Sequence, residues 1–208
     1  MYKAILWDND GILVDTEKWY FEATRLVMRD EGFNLTLNQY QETFLKENTG
    51  AWHLLKNTDK DYHTFLRLKR NTLYSTFIRS NNIINEHVHP ILDKLHKKYK
   101  MGIVTSSRKD HFDIIHANSN LLHYFEFVIT SDDFTHSKPD PEPYLLGIKQ
   151  TSCKPFECVA IEDSERGVSS AKKANLFCFA IPNKMTKNSN FKNADILLDK
   201  IEDILNYL

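Results

Sequence analysis

The 208-residue sequence holds only three cysteines, Cys153, Cys158 and Cys178. They form neither a CxxC pair nor an even set, which excludes a disulfide framework and fits a reducing compartment. Long apolar runs are also missing: no window approaches the roughly 18 consecutive apolar residues that span a bilayer. The first apolar run meets Asp8 too early to form a signal-peptide core. A cytoplasmic location is the expectation. Charge of neither sign dominates. With 27 basic against 28 acidic residues and a net charge of -1, no global field draws nucleic acid or an anionic membrane, so the partner should be a small molecule or a protein. Repeats and low-complexity tracts are absent as well.

What is present is a chain that is 41% hydrophobic and 26% charged, enough for one core domain carrying a smaller insertion. Its texture changes along the sequence. Short apolar runs (Ala4 to Trp7, Met101 to Val104, Phe125 to Ile129, Cys158 to Ile161, Phe177 to Ile181, Ile196 to Leu198) alternate with amphipathic segments. That alternation predicts an α/β, Rossmann-like, doubly wound parallel sheet. Between Trp19 and Ile84 the spacing is helical instead, through Trp19, Tyr20, Ala23, Leu26 and Val27, then Tyr62, Phe65, Leu66, Leu73 and Phe77. The expected organisation is an α/β core of residues 1–15 and 83–208 with an inserted helical cap of residues 16–82, hinged near Asp15-Thr16 and Asn81-Asn82. The basic run Arg67, Lys69, Arg70 reads as a solvated helix face.

In open parallel sheets ligands sit beyond the carboxyl ends of the strands. The first such end carries WDNDGILVDTE, Trp7 to Glu17, with four carboxylates in eleven residues. Carboxylates this close repel one another unless a cation offsets them. Thr105, Ser106, Ser107 and Arg108 follow the second strand, Ser137-Lys138-Pro139 the third, and Glu162-Asp163-Ser164 the fourth. Convergence of Asp8, Asp10, Glu162 and Asp163 would make an oxygen-rich cage of the kind Mg2+ prefers. Thr105 and Lys138 would then grip a phosphate. Asp8 is placed to attack phosphorus and Asp10, two residues on, to protonate the leaving oxygen and later activate water. Gly11 permits the turn between them.

DNDGILVDTE resembles the first signature of the haloacid dehalogenase superfamily, DxDGx followed by Asp-Thr/Ser-Glu. Three further signatures follow in order: Thr105 ending the second strand, Lys138 in SKPDPEPY, and the Glu162-Asp163 pair in IEDSERGVSSAKKAN. The insertion resembles the four-helix cap of the subgroup containing beta-phosphoglucomutase and phosphoglycolate phosphatase. The resemblance implies Asp8 as nucleophile, Asp10 as general acid/base, Thr105 and Lys138 on the phosphate, and Mg2+ held by Asp8, the Asp10 carbonyl and Asp163. Glu162 is implied as a ligand or as a support for the ligands. Ser164 and Gly167 are read as structural, with Ser164 capping the helix.

The implied reaction is Mg2+-dependent hydrolysis of a small phosphomonoester through an aspartyl-phosphate. Sugar phosphates, phosphoglycolate-like acids and nucleotides are the substrate classes. The alternative is a phosphotransferase acting on a hexose phosphate, as in beta-phosphoglucomutase. That enzyme carries a histidine five residues beyond the Asp of its Asp-Thr, where this sequence has Tyr20, so the phosphatase is preferred. Substrate contacts are expected from Ser106 and Arg108, and from Lys46, Trp52 and His53 in the LKENTGAWH loop, with core packing as the alternative for Trp52. The partner is thus a small phosphorylated metabolite, with neither nucleic acid nor membrane, and the chain is expected as a monomer or weak dimer.

Overall fold

A computed structural model describes all 208 residues. The chain folds into two units, one of Met1–Asp15 with Ile84–Leu208 and one of Thr16–Ile83. No helix is long and apolar enough to cross a membrane.

The first unit is built on six parallel strands: β1 Ala4–Trp7, β2 Lys100–Val104, β3 Phe127–Ile129, β4 Cys158–Glu162, β5 Phe177–Ala180 and β6 Ile196–Leu197, in the spatial order β3-β2-β1-β4-β5-β6. The Rossmann-like α/β sheet anticipated from the sequence is therefore the observed fold. β1, β2 and β4 are near-continuous apolar runs because both faces of a parallel sheet are covered. One face buries Ala4, Leu6, Val104 and Ala160 with Tyr144, Val168 and Ala171. Register aligns Trp7 with Ile103 on β2 and with Ile161 on β4, so the three central strands end level. That alignment is what gathers the strand-end residues. The third apolar run is shorter than expected, since Leu122–Tyr124 forms a 3-10 turn and pairing starts only at Phe127.

The second unit is helical, with α1 Glu17–Asp30, α2 Leu37–Tyr40 continued by a π turn at Gln41–Lys46, a 3-10 turn at Trp52–Leu54, and α3 Lys60–Ser80. Thr36 and Gln39 close α2 with a reciprocal capping box, and Asp59 caps α3 at the Tyr62 amide. The face of α3 differs from the expectation. Its buried stripe runs through His63, Leu66, Arg70, Tyr74 and Ile78, while Phe65 stays 57% exposed. Arg70 is therefore not on a solvated face. Its guanidinium lies 4.1 Å from the Tyr20 ring centroid and 5.8 Å from that of Trp52, and Nε donates to Asn71 Oδ1 at 2.8 Å. Arginine is weakly hydrated for a cation, and aromatic faces replace part of the water it gives up.

The remaining helices of the first unit are α4 Val88–Leu95, α5 Lys109–His116, α6 Glu142–Thr151 and α7 Glu165–Lys173. α7 is specified locally by its ends. Ser164 accepts from the Gly167 amide, Glu165 lies in the first turn, and Lys172 and Lys173 lie in the last. Each complements the helix dipole or an orphaned amide.

Candidate active site

The chain turns sharply beyond β1, with the Asn9 carbonyl accepting from the amides of Ile12, Leu13 and Val14. Gly11 adopts φ +93°, and a Cβ there would meet Asp163 Oδ2 at 2.2 Å. Only glycine serves both the conformation and the approach. The turn sets Asp8 and Asp10 beside two other strand ends. Asp10 Oδ2 accepts from Ser107 Oγ at 2.8 Å, Thr105 Oγ1 at 3.0 Å and Asn9 Nδ2 at 3.3 Å. An oxygen taking three donors is the acceptor end of the carboxyl, so a proton carried by this group belongs on Oδ1.

Asp8 is buried. Its Oδ1 accepts from Lys138 Nζ at 2.6 Å, and the same ammonium donates to Glu162 Oε1 at 2.7 Å and the Val104 carbonyl at 2.8 Å. Tyr144 adds its hydroxyl to Glu162 Oε1 at 2.8 Å, while Glu162 Oε2 accepts from the Asp163 amide and the Ser164 hydroxyl. Burial opposes the charge on Lys138, but Asp8 and Glu162 outweigh it and hold the ammonium above the ordinary lysine range. Asp8 is pushed up to about 8, first by burial and then by Glu162, with Lys138 opposing. One buried cation does not compensate the gathered acids.

The carboxylates of Asp8, Glu162 and Asp163 lie with ligand atoms all within 4.8 Å of one another. This donor set, all oxygen and short of positive charge, fits a hard divalent cation. Asp163 Oδ2 accepts from Asn183 Nδ2 at 2.7 Å, which fixes its orientation. Glu162 already takes four donors, so its geometry is that of a support for Lys138 and the fourth strand end.

The strand ends thus bring together Asp8, Asp10, Thr105, Lys138, Glu162 and Asp163. Thr105, expected at a phosphate, is fully buried and donates to Asp10. Ser106 is half-buried and accepts from Ser137 Oγ at 3.3 Å. Arg108 is exposed and clamps Asp110 with two bonds of 2.9 and 3.0 Å. In the helical unit Lys46 is exposed and paired with Glu42 at 2.8 Å, and His53 is exposed. Trp52 is buried at 3% exposure, as the core-packing alternative expects.

Sequence reasoning leaves out Tyr144, Asn183 and the donor role of Ser107. Asn183 lies three residues past the end of β5, so the strand-end rule reaches it once carried to the fifth strand. Tyr144 gives no such signal, because its place is set by the packing of α6 on the sheet.

Carboxylates, hydroxyls and a lysine at the carboxyl ends of a doubly wound parallel sheet define an α/β hydrolytic enzyme. The match is specific: residues 5–181 fit the haloacid dehalogenase-like hydrolase family, and the chain belongs to it. It is 27% identical to the phosphorylated carbohydrates phosphatase of Thermotoga maritima, over 99% of this chain and 98% of the relative. It is 26% identical to the fructose-1-phosphate phosphatase YqaB of Escherichia coli, over 84% and 94% of the two chains. Among solved structures, CbbY from Rhodobacter sphaeroides in complex with phosphate superposes with a TM-score of 0.83 at 21% identity, covering 98% of this chain and 96% of that one.

Proposed function

We propose that this protein is a Mg2+-dependent phosphatase that hydrolyses a small phosphomonoester, with phosphorylated sugars as the favoured class. One observation carries the reading: Asp8, held by Lys138 Nζ at 2.6 Å, lies two residues from an Asp10 whose carboxyl is fixed by three donors. That is a nucleophile beside an acid/base, as phosphoryl transfer through an aspartyl-phosphate requires. Mg2+ would be held by Asp8, Asp163 and the Asp10 carbonyl, where it supplies charge neutralisation for the phosphoryl oxygens. Lys138 holds Asp8 in place. Asp8 Oδ attacks phosphorus and the phosphorus–oxygen ester bond breaks. Asp10 gives its proton to the departing oxygen, then takes one from the water that cleaves the phosphoenzyme. Thr105 and Ser107 orient Asp10, while Ser106 and Arg108, in the loop just past the second strand, serve as substrate contacts.

The named activities of the Thermotoga and Escherichia relatives support a sugar phosphate as substrate. Tyr20 is bound into aromatic packing, its ring 5.1 Å from that of Tyr74 and under Arg70, which argues against the acid/base role that a mutase would need there. The test is phosphate release from a panel of sugar phosphates, phosphoglycolate and nucleotides with Mg2+. Turnover is expected on at least one sugar phosphate and lost in Asp8→Asn by about 10^3 or more, the scale of removing a nucleophile. Undiminished turnover in that variant would overturn the reading.

A further inference from the structure

Beneath the catalytic turn lies a polar chain that the proposed reaction does not use. Asn9, between the two aspartates, is fully buried, and His116 and Ser119 are each 5% exposed. His116 comes from the end of α5 and Ser119 from the loop beyond it. A buried polar group left unpaired is costly, and apolar side chains would fill this space without that risk. Here each group finds a partner. The Leu121 amide donates to Ser119 Oγ at 3.1 Å, Ser119 Oγ meets His116 Nδ1 at 2.9 Å, and His116 Nε2 meets Asn9 Oδ1 at 2.9 Å. Asn9 Nδ2 then donates to Asp10 Oδ2.

The order of donors sets the protons in this chain, with the Ser119 hydroxyl closer to His116 Nδ1 at 2.9 Å than to the His116 carbonyl at 3.4 Å. Asn9 Oδ1 can only accept, so the imidazole proton sits on Nε2. Nδ1 is then bare and accepts from the Ser119 hydroxyl. With its oxygen held by His116, the Asn9 amide must turn its NH2 toward Asp10; the opposite orientation would press oxygen against carboxylate. The backbone of Asn9 holds the catalytic turn separately, through its carbonyl. The side chain is therefore not needed for the turn itself.

We propose that His116 is a positioning residue for Asp10, acting through the Asn9 amide to hold the carboxyl in the rotation that delivers its proton to the leaving oxygen. This rests on the phosphatase reading above and deepens it. A group that positions only the acid should matter most when the leaving oxygen most needs a proton. Phenyl phosphate and p-nitrophenyl phosphate have similar shapes, but phenolate is the poorer leaving group. kcat/KM reports the steps through phosphoryl transfer.

The experiment compares kcat/KM on both esters, with Mg2+, for wild type, His116→Phe, His116→Gln and Asn9→Leu. His116→Phe and Asn9→Leu are expected to lose about tenfold on phenyl phosphate, the order of one hydrogen bond. Loss on p-nitrophenyl phosphate should stay under about twofold, by the same reasoning on acid dependence. His116→Gln, which retains an amide donor for Asn9, should recover most of the difference. Equal losses on the two esters, or no loss, overturn the inference while the wild type remains a phosphatase. If His116→Phe does not fold, Asn9→Leu removes the same contact from the other side and decides alone. A wild type that releases phosphate from neither these esters nor any member of the sugar-phosphate panel overturns the phosphatase reading and this inference with it.

Discussion

Lys138 is the residue on which most of the site's electrostatics turns. Its ammonium is buried against Asp8 and Glu162 at 2.6 and 2.7 Å. Removing one partner of a buried ion pair costs about 3–5 kcal/mol, because the other charge is stranded. Lys138→Met should lower the unfolding free energy by that amount, read by urea denaturation, and abolish turnover. Adding Glu162→Gln should restore part of the stability and none of the activity. His116 gives a pH signature. Burial depresses it from 6.5 to about 4, against the opposing pull of Asp10 and Asp113. The folded protein then binds fewer protons than the unfolded chain between these values, so this group's stabilisation is present above 6.5 and lost as pH falls toward 4. Thermal melts across that window should fall more steeply with acid for wild type than for His116→Phe. The comparison is needed because Asp8, raised to about 8, acts in the opposite direction over much of the same window.

At the level of elements, strand ends are more legible in the sequence than helix faces. β1 is readable to the residue, because four apolar residues in a row before Asp8 have few alternatives. The acidic and hydroxyl residues that follow the strands are legible for the same reason: a level parallel register makes sequence position a guide to spatial position. The stripe of α3 is not legible, since a buried arginine at position 70 contradicts hydropathy and is stabilised largely by rings distant in sequence, beside its bond to Asn71. The Thr105 bond to Asp10 is equally hidden, as a hydroxyl's partner depends on rotamer rather than spacing. β2 carries a further constraint. A Cβ at Gly102 would meet the Phe127 ring of β3 at 2.2 Å, closer than any normal contact. Gly102→Ala should cost about 1–3 kcal/mol as the ring is displaced. Calorimetry should show a lower Tm, with kcat at room temperature retained.

For the whole molecule, the acidic cluster should make stability depend on the proposed cation. A ligand that binds only the folded state at about 100 times its Kd adds about 2.7 kcal/mol, or roughly 5–10 °C in Tm for a chain of this size. Mg2+ should raise Tm by that order in differential scanning fluorimetry, EDTA should reverse the shift, and Asp163→Ala should lose most of it. A shift of equal size in Asp163→Ala would remove Asp163 from the ion's ligands.

The first unit joins Met1–Asp15 to Ile84–Leu208, and its central strand β1 pairs with β2 at Lys100–Val104 and β4 at Cys158–Glu162. On the ribosome that strand therefore emerges well ahead of both neighbours. Roughly 150 further residues must be translated before the second of them exists, so an oily edge faces water or a chaperone for most of the unit's synthesis. Truncations ending before β4 should accumulate as aggregates rather than as partial sheets.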